Sequence, residues 1–139
     1  MAVRPLRLVH PRTGRVLVER LQVPRSSMGR AVGLMLRREL PGGEGMWITP
    51  CNGIHMFLMR FAIDAVFLDR RLRVVRVCEG LRPWRVVPWV WRAHSVLELP
   101  AGTVTDLSLE RGEPLEISEQ PSPRGGGQGG GTLGEAQPP

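Results

Sequence analysis

The chain has 139 residues, 42% of them hydrophobic, and a net charge of +6 that comes entirely from arginine, with no lysine or tyrosine. One domain of this length can fold without disulfides or metals, and two cysteines, Cys51 and Cys78, exclude a disulfide framework and a C-x-x-C pair. No apolar stretch of signal-peptide length occurs within the first thirty residues, and no later segment approaches the roughly 18 uninterrupted apolar residues of a spanning helix, so the expected state is a cytoplasmic protein with both thiols reduced.

Charge is arranged in blocks. Residues 1–38 carry nine arginines against Glu19, residues 39–69 are net negative, residues 70–92 carry seven arginines against Glu79, and the remainder is acidic. Such blocks can pair once folded, and an all-arginine bias looks like GC-rich coding, so the charge does not require a polyanionic partner.

Leu6 to His10 and Arg15 to Val23 are Val- and Leu-rich runs separated by Pro11-Arg12-Thr13-Gly14, which predicts an opening β-hairpin. Ser26 or Ser27 can cap a helix whose apolar stripe is Met28, Val32, Met35, Leu36 and Leu40, ended by Pro41-Gly42-Gly43. Strands are predicted at Gly45 to Thr49, Ile54 to Met59, Ile63 to Leu68, Arg73 to Leu81, Ser95 to Leu99 and Pro114 to Ser118, with one short helical turn within Ala101 to Leu109. The expected fold is mainly β (α+β): a small antiparallel β-barrel or strongly curved sheet with one packed amphipathic helix. A single domain is expected over residues 3–119. Residues 120–139 are rich in Gly and Pro with almost nothing apolar to bury, which predicts a disordered tail.

Four blocks in order carry a family resemblance: Gly33-Leu34-Met35-Leu36-Arg37; Ile54-His55-Met56-Phe57-Leu58-Met59-Arg60-Phe61-Ala62-Ile63-Asp64-Ala65-Val66-Phe67-Leu68-Asp69; Leu81-Arg82-Pro83-Trp84-Arg85; and Leu97-Glu98-Leu99-Pro100-Ala101-Gly102. From about Arg25 to Ile117 the chain resembles the bacterial and archaeal family called domain of unknown function 192. Ala62 stands where many relatives have proline. The resemblance implies a small β-rich fold and leaves the chemistry open.

The candidate site residues each have a bland alternative. Asp64 lies in an otherwise apolar strand and needs an Arg or backbone N–H partner; it is a structural acceptor pinning a turn, with Arg60 or a distant arginine as counter-charge, or a pocket carboxylate with a perturbed pKa. His55 is expected on one strand face with Phe57 and Met59, as a rim residue or as half of a His and Asp pair with Asp64. Cys51 sits in a loop without an activating neighbour. These three are the weak catalytic candidates, and no nucleophile completes a reaction. Cys51 with His55 could begin a metal site, but His94, Asp64 or Cys78 would have to complete it, so neither a metal nor a cofactor is expected. Glu98, alternating with Leu97 and Leu99, is expected to face solvent or make one ion pair.

The stretch Leu81 to Arg92 interleaves Arg82, Arg85 and Arg92 with Trp84, Trp89 and Trp91. Its indoles could close a barrel end, anchor a protein or small ligand, or stack single-stranded nucleic acid. The leading expectation is a non-enzymatic binding or accessory domain using Met59, Arg60, Asp64, Arg82, Trp84, Arg85, Trp89 and Trp91. A small enzyme using His55 and Asp64 and a single-stranded nucleic-acid binder are the alternatives.

Overall fold

Apolar alternation on either side of a Pro/Gly turn produces the first pairing. In the computed structural model, which describes residues 6–23 and 39–120, β1 (Leu6–Val9) and β2 (Val16–Gln22) pair antiparallel, and His10 and Gly14 close the turn between them. Most of the expected helix lies outside the described residues, as does the expected tail from residue 121 onward. Leu40, the last residue of that helix's apolar stripe, is buried.

β3 (Glu44–Ile48), β5 (Ile63–Leu68), β6 (Val74–Leu81), β8 (Ser95–Pro100) and β9 (Glu116–Glu119) join the hairpin in one seven-stranded sheet of order β6-β5-β8-β3-β2-β1-β9. The sheet corrects the expected architecture in two respects. β2 and β3 run parallel, so it is mixed rather than antiparallel; and its terminal strands, β6 and β9, do not pair with each other, so no barrel closes among the described residues. Strand runs alone give no sign of this, because a strand's own residues do not encode the direction of the neighbour it pairs with.

β5 and β8 lie side by side near the middle and are apolar on both faces. A strand covered on both sides reads as a continuous hydrophobic run, and Ile63–Leu68 does so apart from Asp64. On one face Ile63, Ala65, Phe67 and Val96 join Met46, Ile48, Met56, Met59, Val87 and Val90. On the other, Val66, Leu68, Leu97 and Leu99 pack with Leu8, Val18, Leu21 and Val104. α1 (Thr103–Leu107), a single turn within the segment expected to hold one, supplies Val104 to that second face.

A two-stranded ribbon covers the first face. β4 (Ile54–His55) pairs with β7 (Val86–Val87), with Ile54 opposite Val87 and His55 opposite Val86. The strand expected over Ile54 to Met59 therefore stops after two residues. The chain turns instead, with the Met59 N–H donating to the Met56 carbonyl and Leu58 at φ 63°. Gly53 lets the two segments meet: a Cβ there would stand 2.5 Å from the Pro88 carbonyl oxygen and 2.8 Å from that of Val87. Gly53→Ala must push the ribbon off its partner, and a loss of about 2 kcal/mol is expected, within the 1–3 kcal/mol range for overpacking. Thermal unfolding of the variant measures it; an unchanged melting temperature would mean the ribbon is not held this tightly. No helix among the described residues is long and apolar enough to cross a membrane.

Candidate functional site

Asp64 is completely buried, and both carboxylate oxygens are engaged by backbone N–H groups. Oδ1 accepts from Gly80 at 2.8 Å; Oδ2 accepts from Gly102 at 3.0 Å and Val104 at 2.9 Å. Local sequence explains both demands. β6 carries an irregularity opposite Asp64, between the Ala65–Cys78 and Ile63–Leu81 pairs, and Gly80 takes φ 58° there, which frees its N–H from the ladder. The N-cap of α1 is Gly102, which has no side chain to cap the first turn, so the carboxylate of β5 caps it from a distance. The expected arginine counter-charge is replaced by three backbone donors, and Arg60 is exposed.

His55 is exposed on the outer side of the ribbon, its Nδ1 accepting the Phe57 N–H at 3.3 Å and its ring 4.8 Å from that of Phe57. It shares that outward side with Phe57 as expected, but Met59 turns into the core. No hydrogen bond joins His55 to Asp64, whose oxygens are occupied on the opposite side of the sheet. The Cys51 thiol donates to the Gly53 carbonyl at 2.9 Å. Its neighbour is His94 rather than His55: the Cys51 N–H donates to the His94 carbonyl, and both line a small pocket of about 210 Å³. No group of three His, Cys, Asp or Glu side chains that could hold a metal ion occurs among the described residues.

Glu98 is the residue that alternation misplaced. It is 8% exposed, not solvated, and follows Val96 onto the ribbon-covered face between Met46 of β3 and Ala65 of β5. No hydrogen bond or ion pair to its carboxylate occurs among the described residues. Burial alone pushes its pKa up from 4.5 to about 7, because a charge in apolar surroundings loses its hydration.

The ribbon divides its side chains by face. Ile54, Met56, Val87 and Val90 point to the core, while His55, Phe57, Trp84 and Val86 face out. Among the described residues, the large hydrophobic side chains that stay exposed are Phe57, Leu58, Trp84, Val86, Trp89 and Trp91, all within residues 57–91. They form two surfaces at opposite ends of the ribbon. At the end where the Trp84 N–H donates to the Met56 carbonyl, Phe57 and Trp84 have ring centroids 5.8 Å apart, with Arg82 and Arg85 exposed beside them. At the other, where Val90 bonds Asn52, Trp89 and Trp91 meet edge to face at 5.6 Å. The eight expected binding residues are thus split: Trp84, Arg82 and Arg85 on one surface, Trp89 and Trp91 on another, Arg60 exposed, and Met59 and Asp64 buried.

Trp89 and Trp91 form one side of an open groove of about 1130 Å³. Val74 to Val77 of β6, the strand at one edge of the sheet, and the turn Leu109 to Gly112 also line it. The start of that edge is already occupied, since the Gly112 N–H donates to the Val74 carbonyl, the Val74 N–H donates to the Glu113 carbonyl, and Arg73 bridges Pro114. Arg73, Arg76, Arg92 and Arg111 line the groove together with Asp69, Glu79 and Glu110. The contribution of β6 and the 109–112 turn was not visible in sequence, because they converge with the tryptophans only through the sheet.

Residues 9–117 match the family model DUF192, described as uncharacterized ACR. The chain is 33% identical over 101 residues to a UPF0127 protein of Pyrococcus horikoshii, covering 69% of this chain and 85% of that protein. It is 30% identical over 122 residues to a UPF0127 protein of Thermococcus sibiricus, covering 83% and 78%. Its fold is similar to that of a protein of unknown function from Novosphingobium aromaticivorans, with a TM-score of 0.68 and 26% identity over 81% of this chain and 83% of that one. A Sinorhizobium meliloti protein described as a candidate transcription regulator gives the same TM-score at 24% identity over 84% and 98%, a likeness of fold alone.

Proposed function

The chain belongs to the DUF192 family, and we propose that it is a non-catalytic binding module that holds an extended, acid-bearing protein segment in the groove beside Trp89 and Trp91. The observation that carries this reading is the placement of the two indoles, 59% and 68% exposed, in the lining of a groove shared with the edge strand β6. Tryptophan and arginine supply most of the binding energy at protein interfaces when they stand beside a surface that can be desolvated. A groove open along its length suits an extended segment better than a small molecule, which is bound by being enclosed.

Charge selects the partner. The four groove arginines are exposed, whereas two of the three acids are already engaged: Asp69 accepts the backbone N–H groups of Arg71 and Arg73, and Glu79 accepts the Thr105 hydroxyl. Carboxylates on the partner would meet uncommitted guanidinium groups, which fork onto them in pairs. A nucleic-acid reading is less well supported, because edge-to-face indoles do not offer parallel platforms for successive bases. An enzymatic reading loses its pair, since His55 and Asp64 lie on different sides of the sheet.

Selection from a displayed peptide library on the full-length chain tests the reading. Acid-rich extended peptides are expected to be enriched, and Trp91→Ala to weaken their binding by about thirtyfold in fluorescence anisotropy, the equivalent of a hot-spot loss of roughly 2 kcal/mol. Peptide affinities indifferent to both Trp89→Ala and Trp91→Ala would overturn it. So would tight binding of single-stranded oligonucleotides that weakens steeply with salt.

A further inference from the structure

The other exposed surface, at the Phe57 and Trp84 end of the ribbon, is built from two reverse turns set side by side. In one, the Met59 N–H donates to the Met56 carbonyl around Phe57 and Leu58; in the other, the Arg85 N–H donates to the Arg82 carbonyl around Pro83 and Trp84. The turns are tied together at 2.7 Å twice, Trp84 N–H to the Met56 carbonyl and Met56 N–H to the Arg85 carbonyl. The third residue of each turn has positive φ, 63° at Leu58 and 69° at Trp84. Glycine is the residue such a position favours, and asparagine the next best. A bulky side chain there strains the backbone. Positive φ also occurs at Leu72, which packs against the second core face, and at Arg92 and Ser108; Leu58 and Trp84 differ in being apolar yet 48% and 61% exposed, so core burial does not account for them.

We infer that this double turn inserts into an anionic membrane surface. Side chains at paired turn tips project outward, so Phe57, Leu58 and Trp84 can enter a bilayer interface together without reshaping the fold. Aromatic rings settle at headgroup level and aliphatic tips reach the acyl boundary. Arg60, Arg82 and Arg85 are exposed around the tips, and no ion pair among the described residues involves them. Neither 54–62 nor 81–94 contains a single acid. That charge pattern complements acidic headgroups and opposes the pairing of two identical copies through this surface, which would bring the same arginines together. Phe57 and Trp84 carry rings that could meet bases, but the exposed Leu58 and Val86 are aliphatic, which favours an acyl boundary over stacked bases. Tighter binding of a single-stranded oligonucleotide than of anionic vesicles, lost in Trp84→Asn, would overturn the inference. This surface and the groove lie at opposite ends of the ribbon, so the inference is independent of the groove's partner.

Co-sedimentation of the full-length protein with vesicles of phosphatidylcholine alone, and of phosphatidylcholine mixed equally with phosphatidylglycerol, tests it. Binding is expected to the mixed vesicles only, with a blue shift of tryptophan emission. Leu58→Asn and Trp84→Asn suit the positive φ, so the fold is retained, and each should weaken binding about tenfold by removing an inserted apolar side chain. Arg82→Gln should weaken it about fivefold at low salt. Trp89→Ala, at the other end, should leave it unchanged. Equal binding to both vesicle types, no binding to either, or binding indifferent to Leu58→Asn and Trp84→Asn overturns the inference. It also falls if those two variants abolish binding to a selected peptide while the parent chain ignores both vesicles, since the surface then serves a protein.

Discussion

Replacing Asp64 by alanine is expected to remove about 4–6 kcal/mol of folding stability, because the carboxylate takes three backbone N–H groups from two separate elements and has no contact with solvent. A hydrogen bond to a buried charged acceptor contributes about 1.5–3 kcal/mol, and alanine would leave all three donors dry and unpaired. Against a total stability of roughly 5–15 kcal/mol for a domain, such a variant is mostly unfolded or close to it. Asp64→Asn separates geometry from charge. Its carbonyl can still accept from Gly102 and Val104, but its amide N–H points at the Gly80 N–H. A loss of about 2–4 kcal/mol is expected, roughly one broken pair and one donor facing a donor. Urea unfolding of both variants gives the answer. If Asp64→Asn kept the wild-type midpoint while abolishing an activity of the protein, Asp64 would be a reacting group and not a pin.

The second large effect is a pH dependence set by Glu98. Its pKa in the fold is pushed up from 4.5 to about 7 by burial, so the folded chain holds this proton more tightly than the unfolded chain does. The associated stability is fully present below pH 4.5, declines as the unfolded chain gives up its proton, and is lost once pH passes 7. About 3 kcal/mol is at stake, since each tenfold gain in proton affinity on folding is worth about 1.4 kcal/mol. Urea midpoints should therefore fall between pH 4.5 and pH 8 and level off above. Glu98→Gln, neutral and of similar shape, should flatten that decline and be more stable than the parent chain at pH 8. A Glu98→Gln profile that keeps the full slope would assign the dependence to other groups and imply that a counter-charge reaches Glu98.

Both residues illustrate how strand alternation informs and misleads. Asp64 interrupts six otherwise apolar residues, so its burial and need for partners could be read directly. The identity of the partners could not, because Gly80 and Gly102 come from segments 16 and 38 residues away. Glu98 shows the reverse failure. Between Leu97 and Leu99 it has the spacing of an outward residue, and it would be one if the sheet were covered on a single side. The ribbon of β4 and β7 covers the second side, and that ribbon was hidden by Pro83 and Pro88, which make the segment look irregular. The tryptophans were visible as a cluster in sequence, but Trp84 parts from Trp89 and Trp91 because the ribbon carries them to opposite ends.

Local features were legible in the residues alone: most strand segments, the turns at Pro and Gly, the short helical turn after Pro100, the apolar character of the core, and the likeness to a family through four ordered motifs. These follow from period-two alternation and turn chemistry, which act over a few residues. The parallel pairing of β2 with β3, the open mixed sheet, the second layer that buries Glu98, the capping of α1 by Asp64, and the groove between Trp89 and Gly112 were decided only by tertiary structure. Each depends on which distant segment lies alongside, and interactions between neighbouring residues do not specify it.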